Sequence, residues 1–308
     1  MYLALVPDPR MTLALALVAL TTACGPQASS QSAQDAGGIR PIAGGTFEAS
    51  GLAAVPGSNL ALFVDDGRPR EIFVIGLSPQ GLQLGATTRV RLDANVTDPE
   101  GMTGDGTHFY MVGSQSKRTG FDGDGLVRFR FDPATGAVTG VERIRGLKAW
   151  LAANVPELRG TANRVGDHVL NIEGLAWDPD GGRLLLGFRA PVVGGRALIV
   201  PVRLADAAAG FAAVNLRADS TIHLDLGGAG IRAIEHDAEA NAFLVVTGAS
   251  LDTENRDFHV LEWDGRSDST RVLSTWPRRL KPEGIARMMV EGRSLQVIVF
   301  DTGYLLAQ

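Results

Sequence analysis

The chain repeats one phrase five times, and that repetition limits the folds open to it more than any other feature. The copies are "ASGLAAVPGSNLALFVDDG" from Ala49, "PEGMTGDGTHFYMVGS" from Pro99, "IEGLAWDPDGGRLLLGFR" from Ile172, "AGIRAIEHDAEANAFLVVTG" from Ala229 and "PEGIARMMVEGRSLQVIVFDTG" from Pro282. Each reads as a glycine, a short apolar strand, a tight polar turn and a second apolar strand. A third strand follows in several copies, as in "EIFVIGL" from Glu71 or "FHVLEW" from Phe258. The anchor glycines Gly51, Gly101, Gly174, Gly230 and Gly284 are separated by 50, 73, 56 and 54 residues. Units of three or four short strands at such a spacing are the blades of a β-propeller. The expected fold is therefore all-β, a propeller with five blades favoured. A degenerate sixth blade within residues 190–225 is the alternative.

The long interval has a local cause. "GLKAWLAANVPELRG", Gly146 to Gly160, places Leu147, Trp150, Leu151 and Val155 at helical spacing, with Pro156 to end the run, and so predicts one short helical insertion. A parallel α/β sheet would need a crossover helix between successive strands, and only this one helix is legible. Glycine suits the anchor because inner propeller strands crowd where a side chain would clash. The last copy ends soon after Tyr304, short of an outer strand. The segment "GGTFEAS" ahead of Gly51 is the expected donor, closing the ring from both chain ends.

Residues 1–43 read differently. "MTLALALVALTTACG" from Met11 is apolar for about a dozen residues, short of the ~20 that a spanning helix needs, and follows Arg10. It ends at Cys24, the single cysteine, behind the small residues Thr21, Thr22 and Ala23, and resembles a bacterial lipobox. The expectation is a lipoprotein signal peptide over 1–23, a mature protein anchored to the membrane through lipidated Cys24, a polar tether over 24–43 and the propeller over 44–308. This places the protein outside the cytoplasm, in the periplasm or at the outer membrane. A net charge of −5 and the lack of a basic tract argue against a nucleic-acid partner.

Carboxylates recur beside the anchors. The residue before each glycine is Ser50, Glu100, Glu173, Ala229 and Glu283. Equivalent positions of a ring converge near one mouth of the channel, where clustered carboxylates repel unless a cation sits among them. Glu100, Glu173 and Glu283 are the candidate ligands of Ca²⁺ or Mg²⁺, or else bond the neighbouring blade. Near the fourth anchor Arg232 stands ready to pair with a glutamate or to clamp a phosphate or carboxylate. A second set follows the second strands: Asp65 and Asp66, Ser114 with Lys117 and Arg118, Arg189, and Asp301. Arg189, Arg232, Arg118, Asp65 and Asp301 are the candidate ligand-binding residues, unless the acidic ones only form turns.

The segments "IEGLAWDPDGGRLLLGFRAP", "LDLGGAGIRAIE", "KPEGIA" and "AWLAANVPEL" resemble the bacterial family known as domain of unknown function 3616, itself similar to phytase-like and esterase-like propeller domains. The likeness spans about Gly45 to Gln308 and implies the fold without carrying catalytic residues. Three functions stay open: an envelope lipoprotein binding a small anionic ligand or a partner protein at the channel mouth, a divalent-metal-dependent phosphoester hydrolase, and a purely structural interaction module.

Overall fold

The computed structural model describes residues 38–117 and 123–308. Cys24, the signal segment, Arg118 and Asp122 lie outside the described residues. Gly37–Gln308 form one compact unit of five antiparallel sheets.

The first blade is β2 (Ala49–Ala54), β3 (Leu60–Asp65), β4 (Glu71–Gly76) and β5 (Thr88–Arg91). The second is β6 (Pro99–Gly104), β7 (Phe109–Gly113), β8 (Gly125–Asp132) and β9 (Ala137–Arg145). The third is β10 (Asn171–Asp178), β11 (Arg183–Val193), β12 (Arg196–Leu204) and β13 (Leu216–Ala218), with β14 (Ile222–Leu224) also paired to β12. The fourth is β15 (Gly230–Asp237), β16 (Ala242–Gly248), β17 (Phe258–Trp263) and β18 (Thr270–Trp276). The fifth is β19 (Pro282–Val290), β20 (Arg293–Phe300) and β21 (Tyr304–Ala307), completed by β1 (Arg40–Pro41). The first strands contact one another in the cyclic order β2, β6, β10, β15, β19 and back to β2, which makes the five sheets a closed propeller. Residues 190–225 are the outer part of the third blade rather than a sixth.

The ring closes by the expected route with a different segment. Arg40 pairs with Leu305 and Pro41 with Tyr304, so β1 and not Gly44–Ser50 supplies the outer strand. The propeller thus begins at Arg40, inside the stretch 24–43 read as tether. Proline fits there, because an edge strand need not donate every amide. The insertion folds as helix α1 (Leu147–Asn154), with Val155 extended and a single 3₁₀ turn at Pro156–Leu158. It is pinned by Lys148, which is 1% exposed and donates from Nζ to the Lys117 and Arg164 carbonyls at 2.6 and 2.7 Å.

Apolar side chains pack between blades. Phe47, Phe63 and Phe73 meet strands of the fifth blade, and Leu62, Val64, Met111 and Phe129 join the first blade to the second. The anchor glycines sit where this packing is tightest. A Cβ on Gly101 would lie 2.7 Å from that of Leu175 in the third blade, and one on Gly284 would lie 3.0 Å from that of Leu52 in the first.

The fourth copy departs from the sequence alignment. Each inner strand has a register break: Glu100, Glu173, Arg232 and Glu283 are the residues skipped in blades two to five, and Gly51 in the first. Arg232, not Ala229, therefore occupies the glutamate position of the fourth blade, and Ala233, not Gly230, is its anchor. The methyl group is accommodated at that one blade interface.

Candidate functional site

The register breaks determine what reaches the channel. At each bulge one residue is freed from strand pairing and turned out of the ladder, here at the end where the inner strands begin and the second strands finish. This mouth holds a cavity of about 790 Å³. Glu100, Glu173, Arg232, Glu283, Arg189 and Asp301 all line it, so the repeat brings together most of the predicted residues. Asp65 does not line it: its carboxylate lies 2.5 Å from Arg68 and accepts the Glu48 amide, holding the corner of the first blade.

Arg232 is the centre of the ring. Its Nε lies 2.8 Å from Glu173 Oε2, and its NH2 bonds Glu283, the equivalent residues of the blades on either side. Ser50 Oγ reaches the same glutamate at 3.4 Å. The repulsion expected among the ring carboxylates is thus relieved on this side by a built-in guanidinium. Burial acts against the Arg232 charge, but Glu173, Glu283 and Glu100 together raise its pKa above the usual arginine value. Arg189 is equally engaged: it donates to Glu173 at 3.3 Å, to the Ala249 carbonyl at 3.3 Å and to Asp252. Arg232 thus pairs with glutamates, one of the two roles expected of it, and Arg189 is engaged by carboxylates in the same way.

Glu100 is the exception. It is 9% exposed, faces the cavity and has no hydrogen-bond partner among the described residues. Burial, then the charges of Glu173, Glu283 and Asp98, pushes its carboxyl well above the ordinary range, with Arg232 opposing. Burial likewise pushes Glu173 up to about 7, against Arg232 and with Glu283. Further along the channel Glu235 accepts a 2.8 Å hydrogen bond from Thr103, two blades away, and burial raises its pKa as well.

The loops add residues that the repeats did not single out. Asp98 and Lys281 each precede the triplet Pro-Glu-Gly, and each takes a positive φ, +54° and +47°, that a residue before proline rarely adopts. Their carbonyls accept matching bonds from the Ser114 and Asp301 amides at 2.9 and 3.0 Å. Their side chains pair with the same two residues, Ser114 Oγ to Asp98 and Lys281 Nζ to Asp301, both at 2.5 Å. The two blades share one backbone device and present opposite charges with it. A residue ahead of a repeated Pro-Glu-Gly was the sequence signal that could have found them.

The cavity is polarised as a result. Glu48 and Asp66 from the first blade and Asp98 and Glu100 from the second make one side acidic, while Arg278, Arg279 and Lys281 between the fourth and fifth blades make a basic lip. Burial, then Glu48, Asp301 and Asp98, pushes Asp66 up to about 7, and its Oδ1 has no hydrogen-bond partner. Ligand atoms of Glu48, Asp65 and Asp66 lie within 4.8 Å of one another, so the carboxylates best grouped for a cation are not the predicted Glu100, Glu173 and Glu283. Oxygen-only donors of this kind suit Ca²⁺ or Mg²⁺. Among the described residues no helix is long and apolar enough to cross a membrane.

Among curated proteins none matches the chain. Solved structures similar to it include a protein provisionally assigned as a gluconolactonase, at 17% identity, covering 89% of this chain and 92% of that one with a TM-score of 0.45. The gluconolactonase XC5397 from Xanthomonas campestris matches at 9% identity, 87% and 88% coverage and a TM-score of 0.42. Sqt1 of Saccharomyces cerevisiae matches at 8%, 87% and 97%, with 0.38. Those named here do not include a phytase, so the phytase-like part of the resemblance gains no support from them. Three of the four segments that carried the family resemblance fall inside the family match, and "AWLAANVPEL" precedes it. Residues 164–290, from the approach to the third blade through the first strand of the fifth, match the family described as Protein of unknown function (DUF3616).

Proposed function

We propose that the protein is a lipid-anchored binding propeller whose channel-mouth cavity takes a small anionic ligand through a divalent cation. The observation that carries this reading is Glu100, a residue 9% exposed that lines the cavity beside other carboxylates and has no hydrogen-bond partner among the described residues. Like-charged carboxylates crowded around Glu100 repel one another, and a bound cation relieves that repulsion. Glu48, Asp66 and Asp98 on the same side supply further hard oxygen donors. Ca²⁺ or Mg²⁺ there neutralises the acidic side. A phosphate or carboxylate held by the cation then faces the basic lip, where Arg279 has no ion-pair partner among the described residues.

Calcium titration of the full-length protein by calorimetry tests this. Saturable binding is expected, weakened about tenfold or more when Glu100→Gln removes one charged oxygen donor. Heat changes absent up to millimolar calcium would sink the proposal. Phosphate and citrate added to the calcium-loaded protein probe the anion, and Arg279→Ala should weaken whichever binds.

One observation favours a hydrolytic reading: a carboxyl whose pKa burial and acidic neighbours raise is suited to the general acid that the sequence did not reveal. Glu100 would protonate the leaving oxygen of a phosphoester as water attacks phosphorus, and Glu48, Asp65 and Asp66 would hold a cation able to polarise the phosphoryl oxygen. Calcium-dependent release of p-nitrophenol from its phosphate, lost in Glu100→Gln, would establish that reading. The anchor rests on Cys24, and Cys24→Ser should move the protein from the membrane to the soluble fraction.

A further inference from the structure

A second cavity, of about 360 Å³, opens between the second and third blades at the opposite ends of their inner strands. Three aromatic side chains wall it. The rings of Tyr110 and Trp177 are parallel to within 2° with centroids 6.2 Å apart, and Phe211 stands 6.2 Å from Tyr110. Phe211 belongs to the connection between β12 and β13. That connection is knit by Asn215, which is 6% exposed, donates to the Asp206 and Gly210 carbonyls at 2.5 and 2.9 Å, and accepts the Asp206 amide at 3.0 Å. Arg128 covers the outer face of Phe211 at 4.6 Å. The aromatic wall is thus held in place from both sides, which incidental apolar contacts on a surface do not require.

The polar groups around it sort cleanly. Every charged one is already matched: Arg128 with Glu142 at 2.7 Å, Arg203 with Asp219 at 3.1 Å, and Asp105 with the Tyr110 hydroxyl and two backbone amides, each at 2.7 Å. The neutral ones are not. The Thr107 hydroxyl and the Trp177 indole N–H have no hydrogen-bond partner among the described residues. His108 stands 3.7 Å from Asp105 through Nδ1, burial lowers its pKa, and its second ring nitrogen has no hydrogen-bond partner among the described residues. A ligand here meets three aromatic side chains, no uncompensated charge and both donors and acceptors. An ionic ligand gains nothing at such a site, and a purely apolar one leaves the neutral polar groups unpaired. A sugar ring answers both demands: its C–H face carries the positive edge that an aromatic face attracts, and each hydroxyl both donates and accepts.

We propose that the cavity walled by Tyr110, Trp177 and Phe211 is a binding site for a neutral saccharide ring. It is independent of the channel mouth. The test is calorimetric titration of the full-length protein with D-glucose, D-galactose, N-acetyl-D-glucosamine and maltose, and with 2-naphthol as a planar aromatic probe. At least one saccharide should bind, about tenfold more weakly in Trp177→Ala, since aromatic stacking of this kind amounts to about one decade in affinity. Thr107→Val, which keeps side-chain volume and the fold, should weaken it severalfold, and Glu100→Gln should leave it unchanged. The proposal fails if no saccharide binds, if 2-naphthol alone binds, or if Trp177→Ala and Thr107→Val both bind as tightly as the parent.

Discussion

Replacing Arg232 by methionine removes the one cation that serves two buried carboxylates. The side chains of Arg232, Glu173 and Glu283 are 9%, 3% and 7% exposed, so water cannot take the place of the guanidinium. Removing one partner of a buried ion pair costs about 3–5 kcal/mol, chiefly the penalty of the charge left behind. For a domain of this size each kcal/mol lowers Tm by about 2 °C, so the melting point at pH 8 should fall by about 6–10 °C. The loss depends on pH in a definite direction. Burial already lifts Glu173 to about 7, and without Arg232 it rises further. A carboxyl whose folded pKa exceeds its unfolded value adds stability that is fully present below the unfolded pKa and is lost as pH rises through the folded one. The deficit of Arg232→Met should therefore be large at pH 8 and small at pH 5. Thermal melts followed by circular dichroism at both values measure it, and Arg232→Met combined with Glu173→Gln and Glu283→Gln should recover most of the loss. An equal deficit at pH 5 and pH 8, or none at pH 8, would refute the account of the ring.

The same linkage applies to Glu100, raised by burial and its acidic neighbours: Glu100→Gln should match the parent in Tm at pH 5 and exceed it at pH 8, and a variant less stable at pH 8 would show the carboxylate to be favourably paired. At the blade interface Gly101→Ala forces a Cβ to 2.7 Å from Leu175 and should cost about 1–3 kcal/mol in urea unfolding, as overpacked cores do. Ala233→Gly, at the equivalent position, should cost no more than about 1 kcal/mol, the loss of a methyl group and some backbone stiffness. Lys148→Met should loosen the helical insertion by leaving the Lys117 and Arg164 carbonyls unpaired, read as faster hydrogen exchange across Gly146–Leu170 with little change in global Tm.

The blades were legible because a strand, a tight turn and a strand leave an alternation of apolar runs and polar turns that survives divergence. The fourth anchor was misplaced by three residues for a physical reason. A glycine at Gly230 imitates the anchor, while the true equivalent, Ala233, lies at an interface with room for a methyl group. Matching Ile231 to Ile172 and Asp237 to Asp178, the aspartates that open each hairpin turn, would have put Arg232 among the glutamates. The closing strand was illegible because two residues, Arg40 and Pro41, carry no periodicity. Glu100, Glu173, Arg232 and Glu283 could be placed at one mouth from the repeat alone. That Arg232 and Arg189 were occupied and Glu100 was not could not be read, since pairing depends on which blades are neighbours in the ring. Asp98 and Lys281 act through a backbone conformation that composition does not encode.

The pairing of Arg40 with Leu305 also governs timing. These partners are among the first and last of the described residues to leave the ribosome, so four blades can form in sequence while the fifth waits for its edge. Until β21 is made, β1 has no partner and the fifth blade lacks its outer strands, although β2 and β19 already meet at the seam between the first and fifth blades. The last step of folding is thus a long-range one, slow by the entropy of joining distant chain segments. A chain halted before Tyr304 would hold every residue of the mouth but leave the fifth blade with only its two inner strands.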